Sequence, residues 1–411
     1  MNFLFVHRDY PGQFGALADH LARSTHHRVA FVTCAEAASD SIAIRRYRPK
    51  RAVSPNTHHY LTGFEAGVLN GQAVYECCHQ LREEGFIPDV IFAHCGWGVG
   101  LYLREAFPSA TIIGYFEWFY HPRNSDADYL EPNDVTPDNA CRIRTLNAPM
   151  LMLLEDVDMG LVPTAFQRDT FPASYQHKLR TLHDGVDTDY FVPNRDAGRI
   201  FNSKDLGKVN RLLTYATRGM EPYRGFPQFM QAIDGLLRAD SQLHVAIAGN
   251  DKAYYSKQLP DGDTYKARAL RSLPQLDQAR VHFLGTLSRD DYRRLLQISD
   301  VHAYLTVPFV PSWSLVEAMA CGCHIVASDT KPCHEILGSH ETAKFVDHRD
   351  VLQLEKVLAD ALRAGDSAAA FRTRARKRAE MAFSQASLLL QWEAIAIAAR
   401  KETTRRTSTK I

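Results

Sequence analysis

The chain has 411 residues, of which 45% are apolar and 23% are charged, so it is long enough for two globular domains of ordinary size. Its formal net charge of +1 gives no global field that would draw it to nucleic acid or to a membrane surface. No apolar run approaches transmembrane length, and the first residues have neither a basic lead nor a long apolar core, so we expect neither a membrane span nor a secretory signal.

The eight cysteines are scattered along the chain. Cys77 and Cys78 are adjacent, and Cys321 and Cys323 flank one glycine, which is the spacing of neither a zinc site nor a redox Cys-x-x-Cys. Buried free thiols in a reducing cytosol are the simplest interpretation. We therefore expect a cytoplasmic protein with no nucleic-acid partner and at most a peripheral association with the inner face of the membrane.

Short apolar runs alternate with helical patterns in both halves of the chain. This alternation predicts an α/β protein whose parallel sheets are joined by crossover helices. In the first half the predicted strands are 3–6, 29–32, 90–93, 111–116, 160–163 and 179–183. In the second half they are 212–216, 244–248, 281–284, 301–305 and 325–327. A polar, turn-rich segment places the domain boundary near residue 190.

Residues 371–380 carry five basic side chains. They predict either a solvated helix face or a surface for an acidic membrane or an anionic acceptor. The following residues, 384–399, have the apolar spacing of a helix, and the last eleven residues are polar enough to be disordered.

Residues 217–225 form a turn-rich loop just past a predicted strand. Loops at the carboxyl ends of parallel strands are where open α/β sheets bind phosphate-containing ligands. Arg218 and Arg224 are therefore candidates for charge-assisted bonds to phosphate oxygens. Gly249 and Asn250 end the next strand, where a glycine lets a base or a ribose approach the backbone.

Residues 308–329 predict a loop, a helix and a short apolar strand. Ser312 and Ser314 are candidate N-caps of that helix. The first amide groups of a helix lack intrahelical partners and its dipole favours negative charge, so the amides near Ser314 and Leu315 predict an anion site. Glu317 follows in the first turn, where it can accept hydrogen bonds from a sugar diol. Together these features predict a site for a nucleotide diphosphate.

These segments resemble the retaining glycosyltransferases of family 4, which have the GT-B fold. Residues 318–322, Ala-Met-Ala-Cys-Gly, match the tail of the family's Glu-x7-Glu signature, and Glu317 matches its second Glu. The first Glu is expected at position 309, which is Phe309. Residues 183–191 resemble the family's Gly-Val-Asp…Phe hinge segment. Residues 217–225 resemble its Gly-Arg…Lys-Gly loop, with Thr for Gly and Arg for Lys.

The resemblance implies two Rossmann-like domains that face each other across a cleft. It assigns residues 1–190 to an N-terminal acceptor-binding domain and residues 191–383 to a C-terminal domain that binds the nucleotide sugar. Residues 384–400 would form a crossover helix packing on the N-terminal domain, followed by a disordered tail at 401–411.

Candidate acceptor-side residues follow the strand ends of the first domain. The loop with Gly12 resembles the family's first glycine-containing loop, which lies beside the donor phosphate and the acceptor. His94 is a candidate partner for a sugar hydroxyl, or a structural histidine. Many family members carry His where this chain has Glu117, so Glu117 and His121 are predicted to orient the acceptor or to interact with its hydroxyl. Trp118 belongs to an aromatic group that is either a sugar-stacking platform or core.

The resemblance implies a retaining, hexosyltransferase-like enzyme that moves a sugar from a nucleotide diphosphate to an acceptor hydroxyl, in glycan or glycoconjugate biosynthesis such as that of a polysaccharide. Arg218 and Arg224 would stabilise the charge that develops on the leaving diphosphate, and Glu317 would hold the ribose. No Asp-x-Asp motif stands at a strand end, so neither a metal nor a cofactor is expected. A glycan, a lipid-linked sugar and a small molecule are all candidate acceptors.

Phe309 leaves alternatives open, because it removes the carboxylate usually assigned near the donor sugar's hydroxyls. The sugar is then held by other groups, such as the amides of the 308–313 loop, or another residue substitutes, or the protein binds a nucleotide sugar without turning it over. A further alternative is another GT-B enzyme, such as a nucleotide-sugar epimerase or a sugar-phosphate synthase. Dependence of turnover on a separate acceptor distinguishes them.

Overall fold

The chain divides into two α/β units, each built on a parallel sheet. The computed structural model describes residues 1–131 and 135–408. The N-terminal unit consists of Met1–Gly185 and the chain from Gln385 onward, and the C-terminal unit is Val186–Ser384. The chain thus first passes from one unit to the other after residue 185, whereas the sequence predicted a boundary near residue 190. The predicted fold class of two parallel-sheet α/β domains is confirmed.

The N-terminal unit contains a seven-stranded parallel sheet in the order β3-β2-β1-β4-β5-β6-β7. The strands are β1 (Asn2–Val6), β2 (Arg28–Thr33), β3 (Ala43–Arg46), β4 (Val90–His94), β5 (Thr111–Tyr115), β6 (Met159–Val162) and β7 (Leu179–Thr181). The helices between them are α1 (Gly15–Ala22), α2 (Thr62–Glu83), α3 (Leu103–Ala106), α4 (Pro137–Leu146), α5 (Ala148–Asp156) and α6 (Ala165–Arg168). The strand order reverses between β1 and β4, which makes a topological switch point.

The C-terminal unit repeats this plan with a six-stranded parallel sheet in the order β12-β11-β10-β13-β14-β15. A short antiparallel hairpin, β8 (Ile200–Phe201) and β9 (Lys204–Asp205), precedes the sheet. The sheet strands are β10 (Arg211–Gly219), β11 (Leu243–Asn250), β12 (Val281–Gly285), β13 (Val301–Tyr304), β14 (Ile325–Ser328) and β15 (Ala343–Val346). The helices are α7 (Phe226–Ala239), α8 (Tyr265–Ser272), α9 (Arg289–Ile298), α10 (Trp313–Ala320), α11 (Lys331–Leu337), α12 (Val351–Arg363) and α13 (Ala368–Phe383). Its switch point lies between β10 and β13.

The central strands are apolar throughout because both faces of each sheet are covered. In β1, Phe3 and Phe5 pack in one buried cluster with α1, while Leu4 and Val6 pack in another with α2. Successive side chains of a strand point to opposite faces, so a strand buried on both sides loses the usual alternation with polar residues.

The last helix, α14 (Gln385–Ser408), covers one face of the N-terminal sheet. Leu388, Trp392 and Ala396 join the buried cluster of Phe3 and Phe5, and the Trp392 Nε1–H donates to the His183 carbonyl at 3.0 Å. Truncating a tryptophan packed in this way costs about 3–5 kcal/mol of stability. The predicted crossover helix is therefore present. The prediction of a disordered tail is wrong for residues 401–408, which continue the helix, and residues 409–411 lie outside the described part of the chain.

The sequence analysis missed β3, β15 and the β8–β9 hairpin. The two sheet strands lie at outer edges, where one side of the strand has no partner strand. Edge strands tolerate charged side chains such as Arg45 and Lys344, which interrupt the apolar run that marks a central strand.

The basic segment on α13 bonds largely to the protein itself. Arg372 donates to the Asp300 carbonyl at 2.9 Å, and Arg376 donates to the Ala320 carbonyl at 2.8 Å. Arg378 likewise donates to backbone carbonyls of α11. The carbonyls of Ala320 and of α11 stand in the last turns of their helices, where carbonyls lack intrahelical donors, and Arg376 and Arg378 supply these donors. The segment is therefore neither simply a solvated face nor a free cationic patch.

Candidate active site

The switch point of the C-terminal sheet opens into a pocket of about 500 Å³. The carboxyl ends of β10 and β11, the loop after β13 and the N-terminus of α10 surround it. Open α/β sheets bind ligands in this crevice because loops diverge to either side of it. The structure brings together most of the donor residues predicted from the sequence: Arg218, Arg224, Gly249, Asn250, Ser312, Ser314 and Glu317.

Arg224 is held in the pocket wall from three sides. Its Nη1–H donates to Thr306 Oγ1 at 2.7 Å, and its guanidinium carbon lies 5.2 Å from the centre of the Tyr255 ring. Its carbonyl accepts a hydrogen bond of 2.7 Å from the Tyr215 hydroxyl. A guanidinium carries five N–H donors, so these contacts fix the group and leave donors for a ligand.

Arg218 is more exposed and has a simpler support. Its guanidinium carbon lies 4.2 Å from the centre of the Tyr254 ring. The Asn250 side-chain amide donates to the hydroxyl of that ring at 2.6 Å. Asn250, predicted to contact the donor, thus also fixes the ring beneath an arginine.

Gly249 has a backbone reason for being glycine. Its φ is +135°, and a Cβ at this position would lie 2.2 Å from the Thr217 carbonyl oxygen. Strands β10 and β11 end close together here, which narrows the base of the pocket.

The N-terminus of α10 reaches the pocket with Ser312 as its N-cap. The Ser312 Oγ accepts from the Ser314 amide at 3.3 Å, and the Ser312 carbonyl accepts from the Leu315 amide at 3.1 Å. The two amides predicted to bind a diphosphate therefore already have partners in the chain, and the Leu315 side chain is fully buried in the core. Both serines line the pocket, and the Ser314 hydroxyl donates to Ser312 Oγ at 3.0 Å.

Glu317 lines the pocket from the second turn of α10, since the helix begins at Trp313. Burial raises the pKa of its carboxyl to about 7, against the opposing effects of the Tyr292 hydroxyl and the Arg289 charge. Near neutral pH this carboxyl group is therefore charged in only part of the molecules.

Phe309 stands where the family resemblance led us to expect a carboxylate. It is buried, and its ring packs against Tyr255 and Tyr223 with ring centres 5.3 and 5.8 Å away. An aromatic cluster beside Arg224 therefore takes the place of an acidic side chain.

The switch point of the N-terminal sheet holds a cluster of polar side chains. The His94 Nε2 lies 3.2 Å from Glu117 Oε2, and the Gln13 side-chain amide donates to Glu117 Oε1 at 2.8 Å. The His7 Nε2 lies 2.7 Å from Gln13 Oε1, which requires the ring to donate there. The structure thus brings the candidate acceptor-side residues His94 and Glu117 together. It adds His7 and Gln13, which were not predicted from the sequence.

In this polar cluster, burial and the neighbouring side chains have different effects on the pKa values of His7 and Glu117. Burial, and after it the charge of the nearby His94, lowers the pKa of His7 from 6.5 to about 4. Burial alone would raise the pKa of Glu117, but the hydrogen bond and charge of His94, with His7 and Gln13, hold it below its usual value. A charged Glu117 with 29% of its side chain exposed can accept a hydrogen bond from a hydroxyl.

The other acceptor-side candidates differ in what they offer. The exposed His121 donates from Nε2 to the Thr170 carbonyl at 2.7 Å, so Nδ1 is its free acceptor. Trp118 is buried against Phe166, which supports the second of its two predicted interpretations, a core residue, over a stacking platform on the acceptor side. Trp97 is 38% exposed, but its ring stacks on His94.

Gly12 belongs to the N-terminal unit and supports the polar cluster. Its φ is +52°, and a Cβ would lie 2.7 Å from the His7 ring, so only glycine fits. Its contact with a donor phosphate stays a prediction.

Several pocket residues were missed from the sequence, notably Tyr254, Tyr255, Tyr292 and Trp313. Tyr254 and Tyr255 come shortly after the end of β11, and this position past a strand end could have indicated that they line the pocket. Tyr292 carried none, because helix α9 approaches the pocket only through tertiary packing.

Among residues 1–131 and 135–408, no three His, Cys, Asp or Glu side chains converge as metal ligands. The described helices include none that is both long and apolar enough to cross a membrane.

Comparisons with known proteins match both halves of the chain. The sequence model of the "Glycosyl transferase family 4 group" matches residues 25–191, and that of "Glycosyl transferases group 1" matches residues 199–378. No curated protein sequence matches the chain significantly.

Solved structures of similar fold cover nearly the whole chain. Sucrose-phosphate synthase from Thermosynechococcus elongatus is 16% identical, with a TM-score of 0.72 and coverage of 96% of this chain and 98% of its own. HepE of Anabaena in complex with UDP-glucose is 16% identical, with a TM-score of 0.69 and coverage of 97% and 100%. A glycosyltransferase from Rickettsia africae is 16% identical, with a TM-score of 0.69 and coverage of 98% of each chain. Each half of the chain thus matches a glycosyltransferase sequence model, and the whole chain shares the two-domain GT-B fold of solved glycosyltransferase structures.

Proposed function

We propose that the protein is a retaining, hexosyltransferase-like enzyme that transfers a sugar from a nucleotide diphosphate to an acceptor hydroxyl, in the biosynthesis of a glycan or glycoconjugate such as a polysaccharide. The observation that carries this proposal is the pocket at the C-terminal switch point, which Arg218, Arg224 and Glu317 line together. HepE, a protein of the same fold, is bound to UDP-glucose, which supports a nucleotide sugar as donor.

In this mechanism the two arginines bind the diphosphate and stabilise the charge that grows on it as the glycosidic bond breaks. Preorganised cations are effective here because they need no reorganisation as the charge develops. The Ser312 hydroxyl, which accepts from Ser314 Oγ, adds a neutral donor. Glu317 accepts hydrogen bonds from the ribose diol, and the ligand thereby favours the charged carboxylate over the protonated one.

The acceptor would bind at the polar cluster of the N-terminal unit. Charged Glu117, fixed by His94 and Gln13, accepts a hydrogen bond from the acceptor hydroxyl and orients its oxygen. His121 offers Nδ1 as a second acceptor. The hydroxyl attacks from the face that the diphosphate leaves, and its proton passes to the leaving phosphate, so the anomeric configuration is retained.

No metal ion or organic cofactor enters this scheme, because two guanidinium groups supply the charge that a divalent cation provides in other enzymes. We also propose a cytoplasmic location, peripheral to the inner face of the membrane where the acceptor is lipid-linked. The absence of a metal requirement is tested by measuring activity in EDTA, which we expect to leave the rate unchanged.

Phe309 supports a second candidate, a protein that binds a nucleotide sugar without transferring it. The aromatic cluster around Phe309 offers no charged acceptor to donor-sugar hydroxyls at this position. The two candidates share the diphosphate site and differ in turnover.

The test is to incubate the purified protein, in EDTA, with UDP-, GDP-, ADP- and dTDP-sugars and to record thermal shift and release of the nucleotide diphosphate. We expect one donor class both to stabilise the protein and to be slowly hydrolysed. Stabilisation without release, with and without mono- and oligosaccharide acceptors, would favour binding alone. No response to any donor would overturn the site assignment. With an acceptor in hand, NMR of the product's anomeric proton decides between retention and inversion.

A further inference from the structure

Glu221 is a buried carboxylate in the loop between β10 and α7. Its side chain is fully inaccessible to solvent. Its Oε2 accepts three consecutive backbone N–H groups, from Tyr254 at 3.0 Å, Tyr255 at 2.9 Å and Ser256 at 2.7 Å. A buried carboxylate is costly unless such donors satisfy it, and charge-assisted bonds of this kind are strong. Glu221 therefore fixes the backbone of residues 254–256.

This short segment carries the two rings that support the pocket arginines. Arg218 lies over Tyr254 at 4.2 Å, and Arg224 lies over Tyr255 at 5.2 Å, measured from guanidinium carbon to ring centre. Both rings are about two-fifths exposed and line the pocket. A guanidinium is attracted to the face of an aromatic ring, so the ring position biases the arginine position.

Two further contacts hold the segment against the strand ends. The Tyr223 amide donates to Ser256 Oγ at 3.1 Å. A Cβ on Gly219 would lie 2.2 Å from the Lys252 carbonyl oxygen and 2.7 Å from the Tyr254 ring, so the loop passes this strand end without room for a side chain. The backbone of this segment is thus fixed beside the strand ends, and its position determines where the Tyr254 and Tyr255 rings lie.

We propose that Glu221 is a positioning residue for the donor diphosphate: it acts through Tyr254 and Tyr255 to place Arg218 and Arg224, without touching the ligand. The inference rests on the proposed diphosphate site. One carboxylate, which the sequence analysis assigned no role, then controls both cations that bind the leaving group.

The experiment compares the wild type with Glu221→Gln, which keeps the size of the side chain and removes its charge. Calorimetric titration with UDP, GDP, ADP and dTDP gives the Kd of whichever diphosphate the wild type binds. We expect Glu221→Gln to weaken that Kd about tenfold, from partial loss of two cation–π supports. Amide hydrogen exchange of residues 254–256 should become faster in the same variant.

A matched control and a double-mutant cycle separate positioning from general destabilisation. Asp234 is also a buried carboxylate of the C-terminal unit, ion-paired to Arg238 on α7. We expect Asp234→Asn to lower Tm without changing Kd. In the Tyr254→Ala/Tyr255→Ala background, Glu221→Gln should change Kd less than twofold, because the rings through which it acts are gone.

The outcomes are distinct. Wild-type binding with an unchanged Kd in Glu221→Gln overturns the positioning role and leaves the proposed function standing. A full tenfold loss in the background without rings also overturns it, because Glu221 would then act by another route. If the wild type binds none of the four diphosphates, the proposed function fails, and the role of Glu221 fails with it.

Discussion

The two switch points of this protein have the same strand topology and opposite contents. In the N-terminal unit, the switch point carries polar side chains that bond to one another: His7, Gln13, Glu117 and His94. In the C-terminal unit, Arg218 and Arg224 make cation–π contacts with tyrosine rings and line a pocket of about 500 Å³. Topology thus provides a place for a ligand in both units, and the side chains determine which chemistry that place offers.

The charges at the two sites also differ. The N-terminal polar cluster keeps a carboxylate charged and a histidine neutral. The pocket pairs permanent cations with Glu317, whose pKa of about 7 makes its charge depend on the ligand and on pH. The first arrangement suits the orientation of a neutral hydroxyl, and the second suits an anion that carries a diol.

The largest effect is expected at the open pocket. Arg224→Ala removes a cation held by Thr306 and Tyr255, and kcat/KM should fall at least about 100-fold because charge on the leaving diphosphate is no longer stabilised. Initial-rate kinetics with the identified donor measures this. Arg238→Ala, an exposed arginine of the same unit, is the control and should leave kcat/KM within about twofold. An Arg224→Ala enzyme as active as the wild type would refute the diphosphate site.

A smaller effect is expected at the polar cluster of the N-terminal unit. Glu117→Gln removes the charge that orients the acceptor, so kcat should fall roughly 10- to 100-fold while the Kd of the nucleotide diphosphate stays unchanged. Kinetics at saturating donor and calorimetry on the same preparation separate the two. A parallel loss of nucleotide affinity would show that the two units do not divide the substrates as proposed.

The pH dependence of nucleotide binding sharpens the contrast further. A ligand that hydrogen-bonds to charged Glu317 competes with a proton, so its Kd should decrease about tenfold as pH rises from 6 to 8, through the pKa of about 7. The empty protein should show the opposite trend in stability. The pKa is raised on folding, so stability is lost as pH rises from the ordinary carboxyl value toward 7. Both dependences should disappear in Glu317→Gln, and their persistence there would assign them to another group.

The smallest effect concerns His7. Its pKa is lowered on folding from 6.5 to about 4, so the protein should lose stability as pH falls through this window, because the unfolded chain binds the proton first. Hydrogen exchange should show the loss in the N-terminal unit, with a decrease in Tm of about 2–4 °C per kcal/mol. His7→Gln should remove this acid sensitivity. Equal loss in the variant would mean that carboxylates elsewhere dominate.

Much of the fold was predictable because parallel sheets bury their central strands on both faces. Runs such as residues 3–6 and 244–248 could hardly be anything but buried strands, and they became β1 and β11. The edge strands β3 and β15 were missed for the same physical reason, since an edge need not be apolar. The arginines of α13 were misjudged because their carbonyl partners lie far away in the sequence.

The candidate site was predictable only in part. Strand ends and a helix start pointed to Arg218, Arg224 and Glu317, because the position of a residue relative to these elements is encoded locally. The sequence could not decide whether Trp118 is a stacking platform or core, nor that the Leu315 amide has a partner, since burial and amide partners depend on packing.

The sequence by itself determined the α/β class, the two units, the strand ends and the cationic loop, because these follow from short-range apolar periodicity and turn chemistry. Only the tertiary structure decided that Tyr254 and Tyr255 lie beneath the arginines, that Glu221 holds them there, and that Phe309 joins an aromatic cluster. Those contacts join residues that are about thirty or more positions apart, and such pairings arise when the sheet assembles and brings separate loops to one edge.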